Sequence, residues 1–213
     1  MQDPFARLSK VTPEIREKLL AYGRLLREAN LRVNLLSRRD TDDLEYRHIA
    51  FCAAVSEFFS PRDGALIADV GTGGGLPGIV FAILYPTVKI DLYDGVGKKA
   101  FQVANIVDKL QLGNARVFHA RIEERRVLYD YATGRSVCNL PKFFDFVRGR
   151  LRGGKAGNLS NGVIYYKGGD LEPELAEKGI FPDAVFNLEE FFADPRFAGK
   201  TISHFDIKAI QKN

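Results

Sequence analysis

The sequence predicts an α/β fold around a mostly parallel β-sheet, because short apolar segments alternate with helical ones from residue 65 onward. The predicted strands are 65–70, 88–93, 115–120, 129–133 and 163–166, and the predicted helices between them are 76–84, 98–112 and 142–151. Two later apolar runs, 184–188 and 205–210, come close together after a short predicted helix at 173–178. They predict an antiparallel hairpin that completes a sheet of seven strands.

The chain of 213 residues has the composition of an ordinary globular protein, with 46% hydrophobic and 27% charged residues. This length supports one sizeable core. We predict an N-terminal helical extension over residues 1–62 and a sheet-containing domain over residues 63–213, packed together as one unit. No segment approaches the roughly 18 consecutive apolar residues of a membrane span, so we expect no membrane partner.

The N-terminal extension begins with a helix whose start is encoded locally. Thr12 can cap the helix, and Pro13 suits its first position. A second helix is predicted at 43–59 and carries Arg47 and His48 near its start. The extension is therefore expected to be helical before the sheet begins.

A glycine-rich segment, residues 71–78, separates the first predicted strand of the sheet from the helix that follows it. A strand, a glycine-rich turn and a helix form a nucleotide-binding unit, because glycine lets a ligand approach the backbone closely. Two ligand classes compete for this loop. Gly73, Gly75 and Gly78 match the G-x-G-x-x-G pattern of dinucleotide-binding proteins, whereas Asp69 followed by alternating glycines is typical of S-adenosylmethionine (SAM) enzymes.

The position of the loop relative to the strand favours SAM. The strand is predicted to end at Val70 or Gly71, and the dinucleotide pattern counted from Gly71 fails at Leu76. Asp69 then lies near the carboxyl end of the strand, which suits a ligand with an ammonium group and no pyrophosphate. The seven-stranded pattern likewise favours a Rossmann-like SAM-dependent methyltransferase fold over a dehydrogenase domain. An NAD-dependent oxidoreductase is the alternative.

Asp94 is the second candidate ligand group. It ends the second predicted strand, and its carboxylate can accept hydrogen bonds from two ribose hydroxyls in either cofactor class. We expect no metal site, since Cys52 and Cys138 lack metal-ligand spacing and the three histidines are scattered.

Two basic segments flank the central part of the chain. Residues 7–39 contain nine basic and three acidic residues, and residues 121–155 contain nine basic and four acidic residues. This distribution predicts a surface for a polyanion, with solvated helix faces as the alternative explanation. The candidate phosphate contacts are Arg24, Arg27, Arg32, Arg38, Arg39, Arg148, Arg150, Arg152 and Lys155.

Six short motifs occur in order over most of residues 30–170. They are Asn34-Leu35-Leu36-Ser37, Arg47-His48-Ile49, the glycine loop ending in Leu76-Pro77-Gly78, Arg121-Ile122-Glu123-Glu124, Gly134-Arg135-Ser136 and Tyr166-Lys167-Gly168. Together they resemble the RsmG (GidB) family of bacterial-type small-subunit (16S) rRNA guanine-N7 methyltransferases. The glycine loop with its Leu-Pro-Gly ending is the most specific of the motifs.

The resemblance implies site residues as well as a cofactor. It implies that SAM is contacted by Gly71, Leu76, Ile122, Glu123 and Arg135. Gly73 and Asp94, taken from the loop and strand pattern, complete the predicted cofactor site. The resemblance also implies that Arg121, Arg135 and Lys167 serve the RNA or the target base, and these three are the predicted catalytic group.

The activity implied by the resemblance is transfer of a methyl group from SAM to N7 of a guanine in small-subunit rRNA. Guanine N7 carries a lone pair and no proton, so the protein has to align the reactants and exclude water. The alternatives are a SAM-dependent methyltransferase for a small molecule or protein, and a non-catalytic SAM-binding ribosome assembly factor. The expected partner is rRNA or the small ribosomal subunit. We expect a monomer in the cytoplasm, or in a plastid or mitochondrion if a transit peptide has been removed.

Overall fold

A seven-stranded β-sheet organises the computed structural model, which describes residues 3–37, 43–169, 175 and 179–211. The strands are β1 (Leu66–Val70), β2 (Lys89–Asp94), β3 (Ala115–His119), β4 (Tyr131–Arg135), β5 (Gly162–Gly168), β6 (Ala184–Asn187) and β7 (Lys200–Asp206). The α-helices are α1 (Pro13–Asn30), α2 (Phe51–Ala53), α3 (Gly78–Leu84), α4 (Gly97–Lys109), α5 (Leu140–Val147), α6 (Leu188–Phe192) and α7 (Ile207–Gln211).

The strand order in the sheet is β3-β2-β1-β4-β5-β7-β6. β1 to β5 pair in parallel, whereas β7 pairs antiparallel with both β5 and β6. The predicted fold class, a mostly parallel sheet of seven strands with a C-terminal antiparallel hairpin, is therefore confirmed. Because β1 has β2 on one side and β4 on the other, the carboxyl end of β1 is the switch point where open α/β sheets bind ligands.

The C-terminal run at 205–210 is only partly a strand, so that boundary of the prediction is wrong. β7 begins earlier, at Lys200, and the chain turns into α7 directly after Asp206. The carboxylate of Asp206 accepts a hydrogen bond from the Lys208 amide at 2.8 Å, which is a helix-starting contact. Ile207 and Ile210 are then buried on one side of the helix. The predicted helix at 173–178 lies outside the described residues except for Leu175.

The N-terminal extension is helical over the residues that the structure describes. The hydroxyl of Thr12 accepts a hydrogen bond from the Ile15 amide and caps α1, as its sequence predicts. The second helix is wound in three ways along its length, with a π-helical turn at Glu45–Ala50, then α2, then a 3-10 turn at Ala54–Glu57. A continuous helical segment is thus present, but it is not one regular α-helix.

Two hydrophobic cores lie on the two faces of the sheet. The larger core contains residues of α1, the second helical segment, α3 and α4, together with Ile67, Tyr131 and Tyr166 of the sheet. The other contains α5 and α7 with Val70, Tyr93 and Phe205. The N-terminal extension therefore packs on the α3 face of the sheet. Within the described ranges, none of the helices combines the length and the apolar character needed to cross a bilayer.

Candidate nucleoside site at the glycine loop

The glycine loop leaves β1 after Val70, where the sequence predicts the turn to begin. Gly71 has φ +69°, and a Cβ atom at this position would lie 2.9 Å from the side chain of Val137. Gly73 has φ +58°, but a Cβ atom there would have no neighbour nearer than 3.9 Å. Gly71 is thus required by both backbone conformation and packing, and Gly73 presents bare backbone to open space.

Asp69 closes the loop from below and does not line the cavity above it. Its Oδ2 atom accepts hydrogen bonds from the hydroxyl of Thr72 and from the amide of Gly78, the first residue of α3. The side chain is fully buried, and this burial raises the pKa of Asp69 to about 7 despite those two hydrogen bonds. Oδ2 of Asp69 is thus used inside the loop, and the suitability of the carboxylate for the ammonium of a ligand stays a prediction.

We expect Asp69→Asn to remove a pH-dependent part of the stability. The pKa of Asp69 is about 7 in the folded chain and near 3.8 when unfolded, so the folded chain binds more protons between those values. Stability from this group is therefore present at low pH and is lost as the pH rises through about 7. From pH 5 to pH 8 the free energy of unfolding should fall about 2 kcal/mol further in the wild type than in the variant. Urea unfolding at both pH values measures this, and equal pH dependence would contradict it.

An open cavity of about 410 Å³ lies above the loop at the carboxyl edge of the sheet. Its size is in the range of small-molecule and cofactor sites. Three parts of the chain line it: the glycine loop, the ends of β2 and β4 with their following segments, and the N-terminal extension. The lining residues are Leu35, Leu36, Ser37, His48, Gly71, Thr72, Gly73, Gly74, Leu76, Asp94, Lys99, Arg135, Ser136 and Val137.

Asp94 connects the cavity to the glycine loop. One carboxylate oxygen accepts a hydrogen bond from the Gly73 amide at 2.9 Å, and the other accepts one from the Val96 amide at 2.8 Å. The residue is 7% exposed and lines the cavity. Each oxygen has a second lone pair, so the carboxylate can still accept from a ligand diol while it holds the loop.

Arg135 and His48 also line the cavity and bond to each other. Arg135 ends β4, and its Nη1 atom donates a hydrogen bond to Nδ1 of His48. An arginine has donors only, so the accepting ring nitrogen carries no proton and the proton of neutral His48 lies on Nε2. The Nε atom of Arg135 is buried and has no hydrogen-bond partner among the described residues.

The N-terminal extension supplies one wall of the cavity. The side-chain oxygen of Asn30, at the end of α1, accepts hydrogen bonds of 2.8 Å from the amides of Leu35 and Leu36. These bonds fix the lining segment 35–37 beside the glycine loop. From α1, the hydroxyl of Tyr22 donates to the Gly74 carbonyl at 2.9 Å. The wall and the loop are therefore built as one structure.

The structure brings together five of the nine predicted site residues. Gly71, Gly73, Leu76, Asp94 and Arg135 all line the cavity. The remaining four, Arg121, Ile122, Glu123 and Lys167, do not line it.

Those four residues occupy two other places in the fold. Ile122 is buried in the short 3-10 turn after β3, beside the exposed Arg121. Glu123 belongs to the same turn. Lys167 lies near the end of β5, opposite Thr201 of β7. The predicted residues thus form one cluster at the cavity and two groups outside it.

Sequence reasoning did not select His48, Lys99 or segment 35–37 as site residues. His48 and segment 35–37 were visible as parts of short motifs, but nothing local indicated that they face the glycine loop. Lys99 lies on α4 two residues after its start and follows the Asp94 turn. Together with Arg135 it adds two positive charges to a cavity lining that also contains the carboxylate of Asp94.

Several of the predicted phosphate-contacting arginines hold the fold together instead. Arg27 forms a bidentate pair with Glu45 at 2.6 Å, which joins α1 to the second helical segment. Arg150 donates to the carbonyl of Glu123 at 2.9 Å. Arg148 forms an ion pair with Asp145. The exposed candidates include Arg24, Arg32 and Lys155, whereas Arg38 and Arg39 lie outside the described residues. Contact with a polyanion stays a prediction for the exposed candidates.

Arg152 is the clearest of these corrections. Its Nε and Nη2 atoms each donate to the carboxylate of Asp130 at 2.7 Å, and Asp130 is 1% exposed. The same carboxylate accepts from the Leu66 amide and from the side chain of Asn161. Burial alone would raise the pKa of Asp130, but these hydrogen bonds lower it. The pair locks the start of β1 to the segment before β5.

We expect Arg152→Ala to lower the free energy of unfolding by about 2 kcal/mol, because it leaves a buried carboxylate without its charged partner. Lys155→Ala is the matched control, since it removes the same charge from an exposed neighbouring position. Chemical unfolding of the two variants measures the difference. Equal stability of the two variants would mean that the Arg152 pair contributes nothing to the fold.

No group of three or more His, Cys, Asp or Glu side chains is arranged to hold a metal ion in the part of the chain that the structure describes. The charged and titratable side chains of the described cavity lining are one carboxylate, two cations and a neutral imidazole, and the backbone of the glycine loop lies beside them. These groups fit a small zwitterion that carries a ribose, since the carboxylate can accept from a diol and the cations can bind a carboxylate.

Comparison with known proteins adds relatives in sequence and in fold. A family model described as GidB, rRNA small subunit methyltransferase G, matches residues 15–181. A protein named Ribosomal RNA small subunit methyltransferase G from Flavobacterium psychrophilum is 36% identical over 193 residues, which cover 90% of each chain. Its namesake from Bacteroides fragilis is 32% identical and covers 92% of this chain and 95% of the relative.

Solved structures of other methyltransferases share the fold. A ribosomal protein L11 methylase from Lactobacillus delbrueckii subsp. bulgaricus has a TM-score of 0.55 at 13% identity, covering 74% of this chain and 77% of the other. A SAM-dependent methyltransferase from Aquifex aeolicus has a TM-score of 0.51 at 15% identity, covering 76% and 92%. At these identities the likeness concerns the fold alone, and it agrees with the predicted Rossmann-like SAM-dependent methyltransferase fold.

Proposed function

The chain belongs to the GidB family, rRNA small subunit methyltransferase G, and on that premise we propose that it transfers a methyl group from SAM to N7 of a guanine in small-subunit rRNA. The observation that carries the proposal is the cavity itself. Its lining contains groups suited to a nucleoside, namely the bare glycine backbone and Asp94. It also contains Arg135 and His48, which offer polar atoms to a second reactant.

SAM fits the residues present. Gly71 and Gly73 let the ligand approach the backbone, and Asp94 can accept from both ribose hydroxyls. Arg135 and Lys99 supply positive charge for the carboxylate of a bound amino acid. Ile122 and Glu123 follow β3, at the carboxyl edge next to Asp94, and we assign them to the adenine end.

Methyl transfer requires the protein to align the two reactants and to exclude water from the reacting atoms. SAM supplies an activated methyl group when it is bound. Guanine N7 attacks with its own lone pair, so no side chain has to remove a proton first. Leu35, Leu36 and Leu76 form an apolar part of the lining that excludes water from the reacting atoms. Arg135 donates to the guanine O6, which orients the base and leaves N7 free.

The RNA is held by charge outside the cavity. Arg121 is exposed beyond the end of β3, and Arg24, Arg32 and Lys155 are exposed at the flanks. These side chains, with Lys167 on β5, contact phosphates and position the RNA without reading its sequence. Guanine N7 is hidden in the deep major groove of an A-form helix, so the target base is unpaired.

We propose a division of labour between the two parts of the chain. Residues 63–213 form the methyltransferase domain, and the N-terminal extension, residues 1–62, supplies the wall against which the target base is placed. The enzyme acts as a monomer without a metal. It works where ribosomes mature, in the cytoplasm of a bacterium or in an organelle of bacterial descent.

A labelling experiment tests the substrate class. Tritiated SAM is incubated with the protein and with small ribosomal subunits, or their naked 16S rRNA, that lack the native modification. We expect label in RNA and none in a mixture of proteins or small amines and acids. Label in those acceptors alone would replace rRNA with another substrate, and SAM binding without any transfer would point to an assembly factor.

A further inference from the structure

His48 reaches the cavity from a part of the chain far from the sheet. It lies 87 positions before Arg135 in the sequence, yet its Nδ1 atom accepts a hydrogen bond from Nη1 of that arginine. The residue is 9% exposed and lines the same cavity as Arg135. This hydrogen bond directly joins a side chain of the N-terminal extension to a side chain at the end of β4.

The backbone at His48 has an unusual winding. Glu45–Ala50 forms a π-helical turn between the residues before it and α2. π turns are rare and occur often at functional sites, because the extra residue changes the direction in which side chains point. Arg27 of α1 pairs bidentately with Glu45 and so fixes the start of the turn. His48 is thus held on a specially shaped and anchored turn.

The hydrogen bond divides the donors of Arg135 into two groups. Nη1 is engaged by His48, whereas the buried Nε atom has no partner among the described residues. Nε and Nη2 form one planar edge of the guanidinium, which binds oxygen atoms of a ligand well. Fixing Nη1 sets the plane of a guanidinium that lines the cavity and whose Nε atom bonds to none of the described residues.

We propose that His48 is a positioning residue for methyl transfer, which sets the orientation of the Arg135 guanidinium toward the target guanine. This inference rests on the proposed function, in which Arg135 donates to the guanine O6. The role belongs to the unprotonated Nδ1 atom, because only an acceptor can hold Nη1. His48 itself does not touch the reacting atoms.

A double-mutant cycle tests the proposal. His48→Ala is expected to lower kcat on rRNA by about 10- to 100-fold in the wild-type background, the range of coupling between contacting residues. In an Arg135→Ala background the same change should alter kcat by less than about 3-fold, because no guanidinium is left to orient. Within each background, His48→Ala should change the Kd for SAM, measured by calorimetry, by less than about 3-fold.

Two conservative variants make the test specific for Nδ1. In Asn, the side-chain oxygen takes roughly the place of Nδ1, so His48→Asn should recover most of the lost kcat. In Gln the amide reaches the place of Nε2 instead, so His48→Gln should recover less. His204→Ala is the matched control, since His204 is buried and bonded to the Ser160 carbonyl outside the cavity. It should lower the melting temperature without lowering kcat.

The outcomes separate the inference from the function beneath it. If wild-type protein does not methylate rRNA, the proposed function fails first. If the wild type is active but His48→Ala lowers kcat equally with and without Arg135, His48 has only a structural role and the inference is wrong. Equal kcat for the Asn and Gln variants would also overturn it.

Discussion

Arg135→Ala is expected to lower kcat/KM for rRNA methylation by about 10²- to 10³-fold, the usual effect of removing a donor preorganised at a reacting group. Arg135 ends β4 at the switch point of the sheet, lines the cavity and is held there by His48. Its removal leaves the guanine without an oriented partner. The side chain is only partly buried and carries no ion pair among the described residues, so the fold should survive the change.

Steady-state kinetics with undermethylated small subunits measures this effect. Arg135→Lys should fall between the wild type and the alanine variant, because it keeps the charge but not the planar pair of donors. Arg148→Ala serves as the control, since Arg148 is an exposed arginine paired with Asp145 outside the cavity. Turnover by Arg135→Ala at the Arg148→Ala level would remove Arg135 from the site.

Asp94→Ala is expected to raise the Kd for SAM by about 100-fold, which corresponds to roughly 3 kcal/mol. The variant loses the ribose acceptor and also releases the amides of Gly73 and Val96, which the carboxylate holds at 2.9 and 2.8 Å. Both changes disturb the same part of the cavity. Asp94→Asn should lose less affinity, because the amide keeps one accepting oxygen.

Isothermal calorimetry with SAM measures the two Kd values. Asp108→Ala is the control for loss of a carboxylate, since Asp108 lies on α4 outside the cavity. A Kd for Asp94→Ala equal to that of the control would mean that the nucleoside does not occupy this part of the cavity. Tight binding of NAD with no binding of SAM would contradict the cofactor assignment as a whole.

The sheet and the glycine loop could be predicted because their signals are local. Apolar strands with glycine-rich turns identify β1 and its loop, and the end of the strand at Val70 fixes the register of the loop against Asp69. Leu76, where the sequence departs from the dinucleotide pattern, lines the cavity in the structure. A few neighbouring residues contain all of this information.

Contacts between distant segments could not be predicted in this way. The bond between His48 and Arg135 and the pairs Arg27–Glu45 and Arg152–Asp130 all depend on the tertiary fold. Sequence alone therefore could not distinguish Arg27 and Arg152 from the exposed Arg24 as candidates for RNA contact. The structure identifies the arginines that pair with a buried or half-buried carboxylate, which are Arg152 and Arg27.

The wall formed by the N-terminal extension was missed for the same reason. Asn30 shapes the segment 35–37 through two backbone amides, but which surface that segment faces depends on how α1 packs against α3. The sequence identified segment 35–37 as part of a motif but did not indicate that it lines the cavity. Asp69 is the converse case, since its position by the loop was predicted but its burial and its use inside the loop were not.

Mapping the methylated atom tests the central claim most directly. Small subunits are labelled with methyl-tritiated SAM and this protein. One portion of the RNA is digested to nucleosides, and the labelled nucleoside is identified by mass spectrometry. A second portion is cleaved at 7-methylguanine to locate the modified position. We expect one unpaired guanine labelled at N7, with the label strongly reduced for Arg135→Ala. Label on a ring carbon or an exocyclic nitrogen, or no label in RNA, would contradict the account.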